Sequence, residues 1–323
     1  MIGSINVDGF QIIQKIGMGG YGEIYIVQKD GDPELYALKT EDIETNQKGM
    51  LQEIEIMNSL PNCPFFSRII VAGNTSAVNY FVMPLYGPSL NSLRNQLQTR
   101  YFSLSTATRI ARKMLIILET LHEAGFVHCD VKPSNFLLQQ HKVGGIVLVD
   151  FGLSSRFMDL KNGTHIENAP SDGFRGTLKY ASINVHKFVE PTRRDDIISW
   201  FYSYIEMVRG QLPWGDVRDK NLSLSCKQAI TTEKLCHGLP NEAKDIYNYI
   251  KNIRFEEKPD YGLIYTLLDQ TITMNNWSES DLYDWETQPT IIHQLTPFPH
   301  LFDKNLSALK PSDEEKRCCC IIQ

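Results

Sequence analysis

The sequence predicts an α+β chain of two lobes, a small β-rich lobe with one helix followed by a larger, mainly helical lobe. Three observations lead there. Between Phe10 and Phe81, short β-branched and aromatic runs recur. Beyond Met83, apolar residues fall at helical spacing over long stretches. The chain has 323 residues, 42% of them hydrophobic and 22% charged, enough to bury a substantial core.

In the first lobe, about residues 9–83, strands are expected at 10–16, 23–27, 35–40, 69–72 and 80–83. A helix over 49–60 carries Met50, Ile54 and Met57 on one stripe and stops at Pro61. The second lobe, about 87–287, opens on a helix over 106–123 lined by Ile110, Met114, Ile117, Leu118 and Leu121. A second long helix is expected over 195–209, with short strand-like runs between them around His128 and at 146–149. From residue 288 to 323 the periodicity fades, and a tail is expected.

The formal charge of −6 gives no basic surplus for nucleic acid as a main partner. Seven cysteines lack metal-ligand spacing, and Cys63, Cys129, Cys226 and Cys236 are scattered as in a reduced, cytoplasmic protein. No stretch reaches the roughly 18 apolar residues of a membrane span. No long heptad run suggests more than a monomer.

Four motifs carry chemistry. Gly17-Met18-Gly19-Gly20-Tyr21-Gly22 lies between two strand candidates, and glycines let a backbone approach phosphates closely. A dinucleotide fingerprint would open into a helix. Residues 23–27 read as strand, which favours a lid over ATP. Lys39 ends the hydrophobic run Tyr36-Ala37-Leu38, where it can reach α- and β-phosphate oxygens. Glu53, beside the apolar stripe of its helix, is its expected partner; Glu41 and Glu44 remain open, and Glu55 is expected in solvent. His128-Cys129-Asp130-Val131-Lys132-Pro133-Ser134-Asn135 sets a base, a cation and a metal ligand on one loop. Asp130 would orient a substrate hydroxyl, Lys132 would neutralise the moving phosphoryl group and Asn135 would bind Mg²⁺. Finally, the run from Ile146 to Val149 delivers Asp150-Phe151-Gly152, with Asp150 the main Mg²⁺ ligand. Each motif has a structural alternative, such as a hairpin turn or a helix cap, but their order and spacing together are highly specific.

On these motifs the chain resembles the casein kinase I group of protein kinases. Phe174-Arg175-Gly176-Thr177-Leu178-Lys179-Tyr180-Ala181-Ser182-Ile183-Asn184 carries S-I-N where most protein kinases carry A-P-E, and Arg193-Arg194-Asp195-Asp196 and Gly210-Gln211-Leu212-Pro213-Trp214 match as well. Lys132–Phe136, Phe174–Thr177 and Lys258-Pro259-Asp260-Tyr261 are most similar to the tau-tubulin kinase branch. The resemblance covers about 9–287. It implies a bilobal protein-kinase fold and a serine/threonine kinase that uses ATP and Mg²⁺ on protein substrates. It also implies that Ile16, Gly17, Gly19, Gly22, Ile24 and Ala37 enclose ATP, that Met83 is the gatekeeper and that Pro84 and Leu85 meet adenine through their backbone. Thr177 is expected near Asp130 and Lys132, Lys179 and Arg175 on the substrate loop, and Asp196 as the anchor of the loop around Asp130.

Two positions depart from the pattern. Cys129 stands where most relatives have an arginine that pairs with a loop phosphate, which implies activity independent of loop phosphorylation. Asp172 falls where some casein kinases carry a basic residue, which argues against a need for primed substrates. At the end, Cys320-Ile321-Ile322-Gln323 matches a C-a-a-X prenylation box. Cys318 and Cys319 can take the second lipid that stable membrane attachment needs. A scaffold without activity, a small-molecule phosphotransferase and a lipid-anchored adaptor are the rival readings. The first is opposed by the retention of Lys39, Asp130, Asn135 and Asp150, the second by Lys132-Pro133, the glycine lid and Gly176-Thr177.

Overall fold

The computed structural model describes residues 6–19, 22–43, 49–139 and 144–288. It is α+β, as expected. The strands and helices run β1 (Asn6–Val7), β2 (Phe10–Gly19), β3 (Gly22–Lys29), β4 (Leu35–Asp42), α1 (Gly49–Ser59), β5 (Val71–Asn74), β6 (Val78–Pro84), α2 (Leu90–Gln96), α3 (Leu104–Glu123), β7 (Phe126–Val127), β8 (Phe136–Leu138), β9 (Ile146–Leu148), β10 (Ser155–Arg156), β11 (Met158–Asp159), β12 (Thr164–His165), α4 (Ile183–His186), α5 (Arg193–Arg209), α6 (Lys220–Ala229), α7 (Thr232–Leu235), α8 (Asn241–Ile250) and α9 (Tyr261–Met274). Among the described residues, those up to Gly87 together with Val147–Gly152 form one compact unit. Pro88–Ile146 and the residues from Leu153 onward form the other.

The first unit is built on an antiparallel sheet in the order β1-β2-β3-β4-β6-β5. Alternation along the strands sends Val7, Phe10, Val27, Leu38, Tyr80 and Val82 to one cluster. Gly22 opens β3 at φ +122, where a Cβ would lie 1.7 Å from the Thr40 carbonyl oxygen. The third glycine of the lid motif is therefore required by the β3–β4 approach, whatever it does for a ligand. The chain re-enters this unit at residues 147–152: Leu148 N donates to Phe65 O at 2.9 Å, and Phe66 bridges Leu148. This return places Asp150 with the sheet rather than with the helices that precede and follow it in sequence.

The second unit packs α3 against α5 and α9. Trp200 on α5 is fully buried and donates from Nε1 to Ala111 O of α3 at 2.8 Å. Gly210 ends α5 in the left-handed region at φ 80, the usual conformation of a glycine helix stop. Helices α2, α4, α6, α7, α8 and α9 lie outside the sequence expectation, and β5 lies two residues later than expected.

Candidate functional site

In the first unit, the register of β3, β4 and β6 sets Lys39 opposite Ile24 on one side and Phe81 on the other, and Ala37 opposite Met83. Residues two apart share a face, so Ala37 and Lys39 point the same way. Lys39 is 6% exposed, yet its Nζ lies 2.7 Å from Glu53 Oε2 and 2.9 Å from Asp150 Oδ1. Glu53 reaches it because α1 turns Met50, Glu53, Ile56 and Met57 inward; Glu55 is exposed. Ile56 takes the buried place expected for Ile54, which is half-buried. Glu41 is also buried, but it accepts Met50 N at 3.3 Å and so serves the start of α1. Glu44 lies outside the described residues.

Burial opposes the charge on Lys39, but the carboxylates of Glu53 and Asp150 outweigh it and raise the ammonium's pKa above its ordinary value. Burial also raises Glu53, and Lys39 pulls it back. With Lys39 Nζ on one oxygen and Phe151 N on the other at 3.2 Å, the hydrogen bonds fit the carboxylate form. Asp150 holds φ +68, a conformation that costs a non-glycine residue roughly 1–2 kcal/mol. Phe151 beside it is fully buried, edge-on to Phe66 with ring centres 6.0 Å apart. The Asp-Phe-Gly turn is thus fixed from both sides.

The β2–β3 hairpin pairs Gly17 with Ile24 and Gly19 with Gly22, while Gly20 and Tyr21 lie outside the described residues. Ile16 is largely exposed, an apolar side chain left open at the hairpin. Met83 is buried, with Ser67 Oγ 3.4 Å from its sulfur. Pro84 ends β6 opposite Tyr36, followed by the buried Leu85.

The second unit gathers the other predicted residues. Lys132 Nζ sits 2.6 Å from Asp130 Oδ2 and donates to Thr177 Oγ1 at 3.0 Å. Asn135 turns its amide nitrogen to Asp130 O at 2.9 Å, held in a single 3-10 turn over Pro133–Asn135. The amide oxygen of Asn135 is therefore the end available to a cation. Asp130 Oδ1 is buried with no hydrogen-bond partner among the described residues. A buried carboxylate oxygen without a donor is costly, and functional sites are where such groups persist.

Asp196, near the start of α5, anchors this loop as expected. It accepts His128 N at 2.7 Å on one oxygen and Cys129 N at 2.9 Å on the other, and His122 Nε2 lies 2.9 Å from it. These bonds hold Cys129 at φ 66. Gly176, at φ +98, passes so close that a Cβ would be 2.4 Å from Cys129 O. Cys129 is half-buried, and desolvation raises the pKa of its thiol, which opposes the reactive thiolate form.

On the loop that follows, both basic residues are engaged. Lys179 is ion-paired with Glu206 of α5, which is fully buried and also accepts Tyr180 OH. Arg175 Nη1 lies 3.0 Å from Glu190 Oε1. Ser182 and Asn184 both donate to Asp195 Oδ1, at 2.5 and 3.1 Å, so the S-I-N run and the acidic start of α5 form one buried joint. Arg193 and Arg194 are structural: Arg193 donates to Glu256 O at 2.7 Å, and Arg194 Nε lies 3.5 Å from Asp195 Oδ2. Cys318, Cys319 and Cys320 lie outside the described residues.

Residues 10–273 match the protein kinase domain model. The chain belongs to the protein kinase family. It is also 36% identical, over 288 residues, to a probable serine/threonine-protein kinase of Dictyostelium discoideum. That match covers 88% of this chain, and the chain spans 58% of the length of that relative. The fold, a β-sheet unit with one helix and a mainly helical unit, is that of the family.

A protein kinase domain works with ATP and Mg²⁺, and the residues present suit both. Among the described residues, no group of three His, Cys, Asp or Glu could hold a metal ion alone. Mg²⁺ bound to a nucleotide needs one or two protein oxygens, the phosphates and water supplying the rest. In the first unit the Asp150 carboxylate, its side chain 34% exposed, and in the second the amide oxygen of Asn135 are each an oxygen of that kind. Sequence reasoning missed the partners Glu206, Glu190 and His122. A glutamate within the otherwise apolar Ile205-Glu206-Met207 stretch of a buried helix was the available signal, because a buried charge must be paired.

Proposed function

We propose that this chain is an active serine/threonine protein kinase of the casein kinase I group, nearest in its motifs to the tau-tubulin kinase branch. It transfers the γ-phosphoryl group of Mg-ATP to protein hydroxyls. The observation that carries this reading is Asp130. One oxygen is held by Lys132, which is itself tied to Thr177, and the other oxygen is buried and unpartnered. That free oxygen suits the proton of a serine or threonine hydroxyl, which Asp130 would orient and then accept. Lys132, placed against it, supports charge on the group in transfer. Lys39, protonated and braced by Glu53, is assigned to the α- and β-phosphates. Asn135 and Asp150 are assigned to Mg²⁺, which would offset the negative charge of the phosphates. Ile16, Gly17, Gly19, Gly22, Ile24, Ala37, Met83, Pro84 and Leu85 are assigned to the nucleotide, and residues 9–287 to the kinase domain.

The reading is tested by γ-phosphate transfer from Mg-ATP to casein and to a tau fragment, wild type against Asp150→Asn. Transfer onto serine or threonine that the variant loses supports it. No transfer by a folded wild-type protein to any protein acceptor, or to itself, sinks it.

Activity is proposed to need no phosphate on the protein's own loop. The position that would read such a phosphate is Cys129, which is half-buried and carries no positive charge, and Arg175 is already paired with Glu190. The loop around Asp130 is held by Asp196 instead. Ser154 is fully buried and donates to His128 O, so it is not open to modification. Alanine at Ser155, Thr164 and Ser171 together is expected to leave the transfer rate within about twofold; a loss of about tenfold or more would refute phosphate control.

The ending Cys320-Ile321-Ile322-Gln323 is proposed to be farnesylated, with Cys318 and Cys319 as palmitoylation sites giving membrane association. Intact mass of the protein from eukaryotic cells checks this. Wild type should carry the prenyl mass and Cys320→Ser should not; identical lipid-free masses and identical fractionation would end the idea.

A further inference from the structure

Lys227 lies on α6 and is 1% exposed, yet its described partners include no carboxylate. Its Nζ donates to Leu178 O and to Ala181 O, both at 2.7 Å, and stands 3.0 Å from His186 Nε2. The rings of Tyr202 and Trp214 flank it, with centroids 5.6 and 5.3 Å from Nζ. All three N–H directions of an ammonium thus meet an acceptor, and two aromatic faces favour the cation. Burial pulls its pKa down to about 7. Burial and Lys227 itself hold His186 down to about 4, so the imidazole is neutral and can accept at Nε2.

The two carbonyls are the ends of one series. Leu178 O and Ala181 O go to Lys227, Lys179 O accepts Trp214 Nε1 at 2.8 Å, and Tyr180 O accepts Ser199 Oγ at 2.9 Å. Four consecutive carbonyls are therefore held by side chains, and one ammonium holds both ends. The amides of Tyr180 and Ala181 fold back onto Thr177 O at 2.9 and 3.0 Å. Whatever fixes residues 178–181 thereby fixes Thr177, which meets Lys132, and aims Lys179 at Glu206.

We propose that Lys227 is the positioning residue of the acceptor-presenting loop: by pinning the carbonyls of Leu178 and Ala181, it sets how a protein substrate is held beside Asp130. This rests on the kinase reading above. The role is distinct from that of Lys39, because Lys227 touches no group assigned to ATP. A hydroxyl or a ring N–H would reach one carbonyl; a lysine reaches two and tolerates burial because its whole shell is satisfied.

The test is Lys227→Met, which keeps the length and fits between Tyr202 and Trp214 but donates nothing. Two measurements are made on each protein, amide hydrogen exchange over 174–186 and separate KM values for ATP and for a protein acceptor. Exchange at Tyr180 and Ala181 is expected to accelerate at least tenfold with the rest of the protein unchanged. KM for the acceptor is expected to rise at least tenfold, with KM for ATP within twofold. Lys227→Gln, which can still donate twice, should fall between Met and wild type, and it carries the test if the Met variant does not fold. Unchanged exchange in this segment overturns the proposal. So does an equal rise of both KM values, which would mark a merely structural residue. If the wild type transfers no phosphate, the kinase reading fails by itself, and the exchange measurement still decides whether Lys227 holds the loop.

Discussion

Asp150→Asn is expected to lower phosphoryl transfer by about a thousandfold while leaving the fold intact. The rate loss follows from charge. A carboxylate assigned to the cation becomes a neutral amide, and removing one well-placed electrostatic partner of a transition state typically costs about 10²–10³ in rate. The small stability effect follows from packing. The Asp150 side chain is 34% exposed, its amide can still accept from Lys39, and Lys39 keeps Glu53 at 2.7 Å. An ion pair of that exposure is worth at most about 1 kcal/mol. The backbone at Asp150 permits the change as well, since asparagine, like aspartate, tolerates a positive φ. Lys39→Met is a poorer inactive control. It would leave Glu53, 2% exposed, without a cation, and breaking a buried pair from one side costs about 3–5 kcal/mol. Lost activity in Lys39→Met would then mix missing chemistry with a damaged sheet and helix. The check is a transfer assay beside a thermal melt. A thousandfold loss with a melting temperature within about 2 °C fits the assignment; retained transfer, or activity lost in step with stability, does not.

How much of this was legible in the sequence depends on how far apart the cooperating residues lie. Asp130, Lys132 and Asn135 share six residues of one loop, so order and spacing expose them. Lys39 and Glu53 stand 14 residues apart, and helical spacing alone put Glu53 on the inner face of α1. It could not separate Glu53 from Glu41, because both are buried and only the position of Met50 N shows which acid the helix start uses. The role of Gly22 was half legible. Its place in a glycine motif was plain, but its contact with Thr40 is a property of sheet register. The partners of Lys179 and Lys227 were illegible for a further reason. Lys179 meets Glu206 across 27 positions, and Lys227 meets Leu178 across 49. A lysine in sequence reads as a solvated side chain, and only tertiary packing reveals the acceptors that make its burial affordable. The resemblance placed Arg175 and Lys179 on the substrate loop, whereas the fold commits both of these cations to carboxylates of the same chain.

A stability loss comparable to that of Lys39→Met is expected for Asp196→Ala, and it should take activity with it. Asp196 is 1% exposed and serves three donors or rings: His128 N, Cys129 N and His122 Nε2, the last backed by Tyr261 OH at 2.6 Å from Nδ1. Alanine leaves two buried amides without an acceptor, each at roughly 1–3 kcal/mol, and the imidazole loses its partner. A total near 4 kcal/mol is about 10 °C of melting temperature for a domain of this size. The consequence for chemistry runs through Cys129. Its left-handed φ is a strained conformation that the two Asp196 bonds stabilise, and Asp130 is the next residue. Once the bonds are gone, the backbone can relax to a negative φ, which swings the Asp130 carboxylate away from Lys132 and Thr177. Gly176, packed against Cys129 O, would lose its neighbour in the same movement. Asp196→Asn retains one acceptor oxygen but turns an amine toward the other backbone N–H, so an intermediate loss is expected. Melting curves, together with transfer rates measured at least 15 °C below each variant's own midpoint, as its expected shift of about 10 °C requires, separate the two effects. If the rate recovers fully once each variant is folded, Asp196 is a stabilising residue alone. If the order wild type, Asn, Ala persists in the rate of fully folded protein, the anchor sets the position of the catalytic aspartate as well as the stability of its loop.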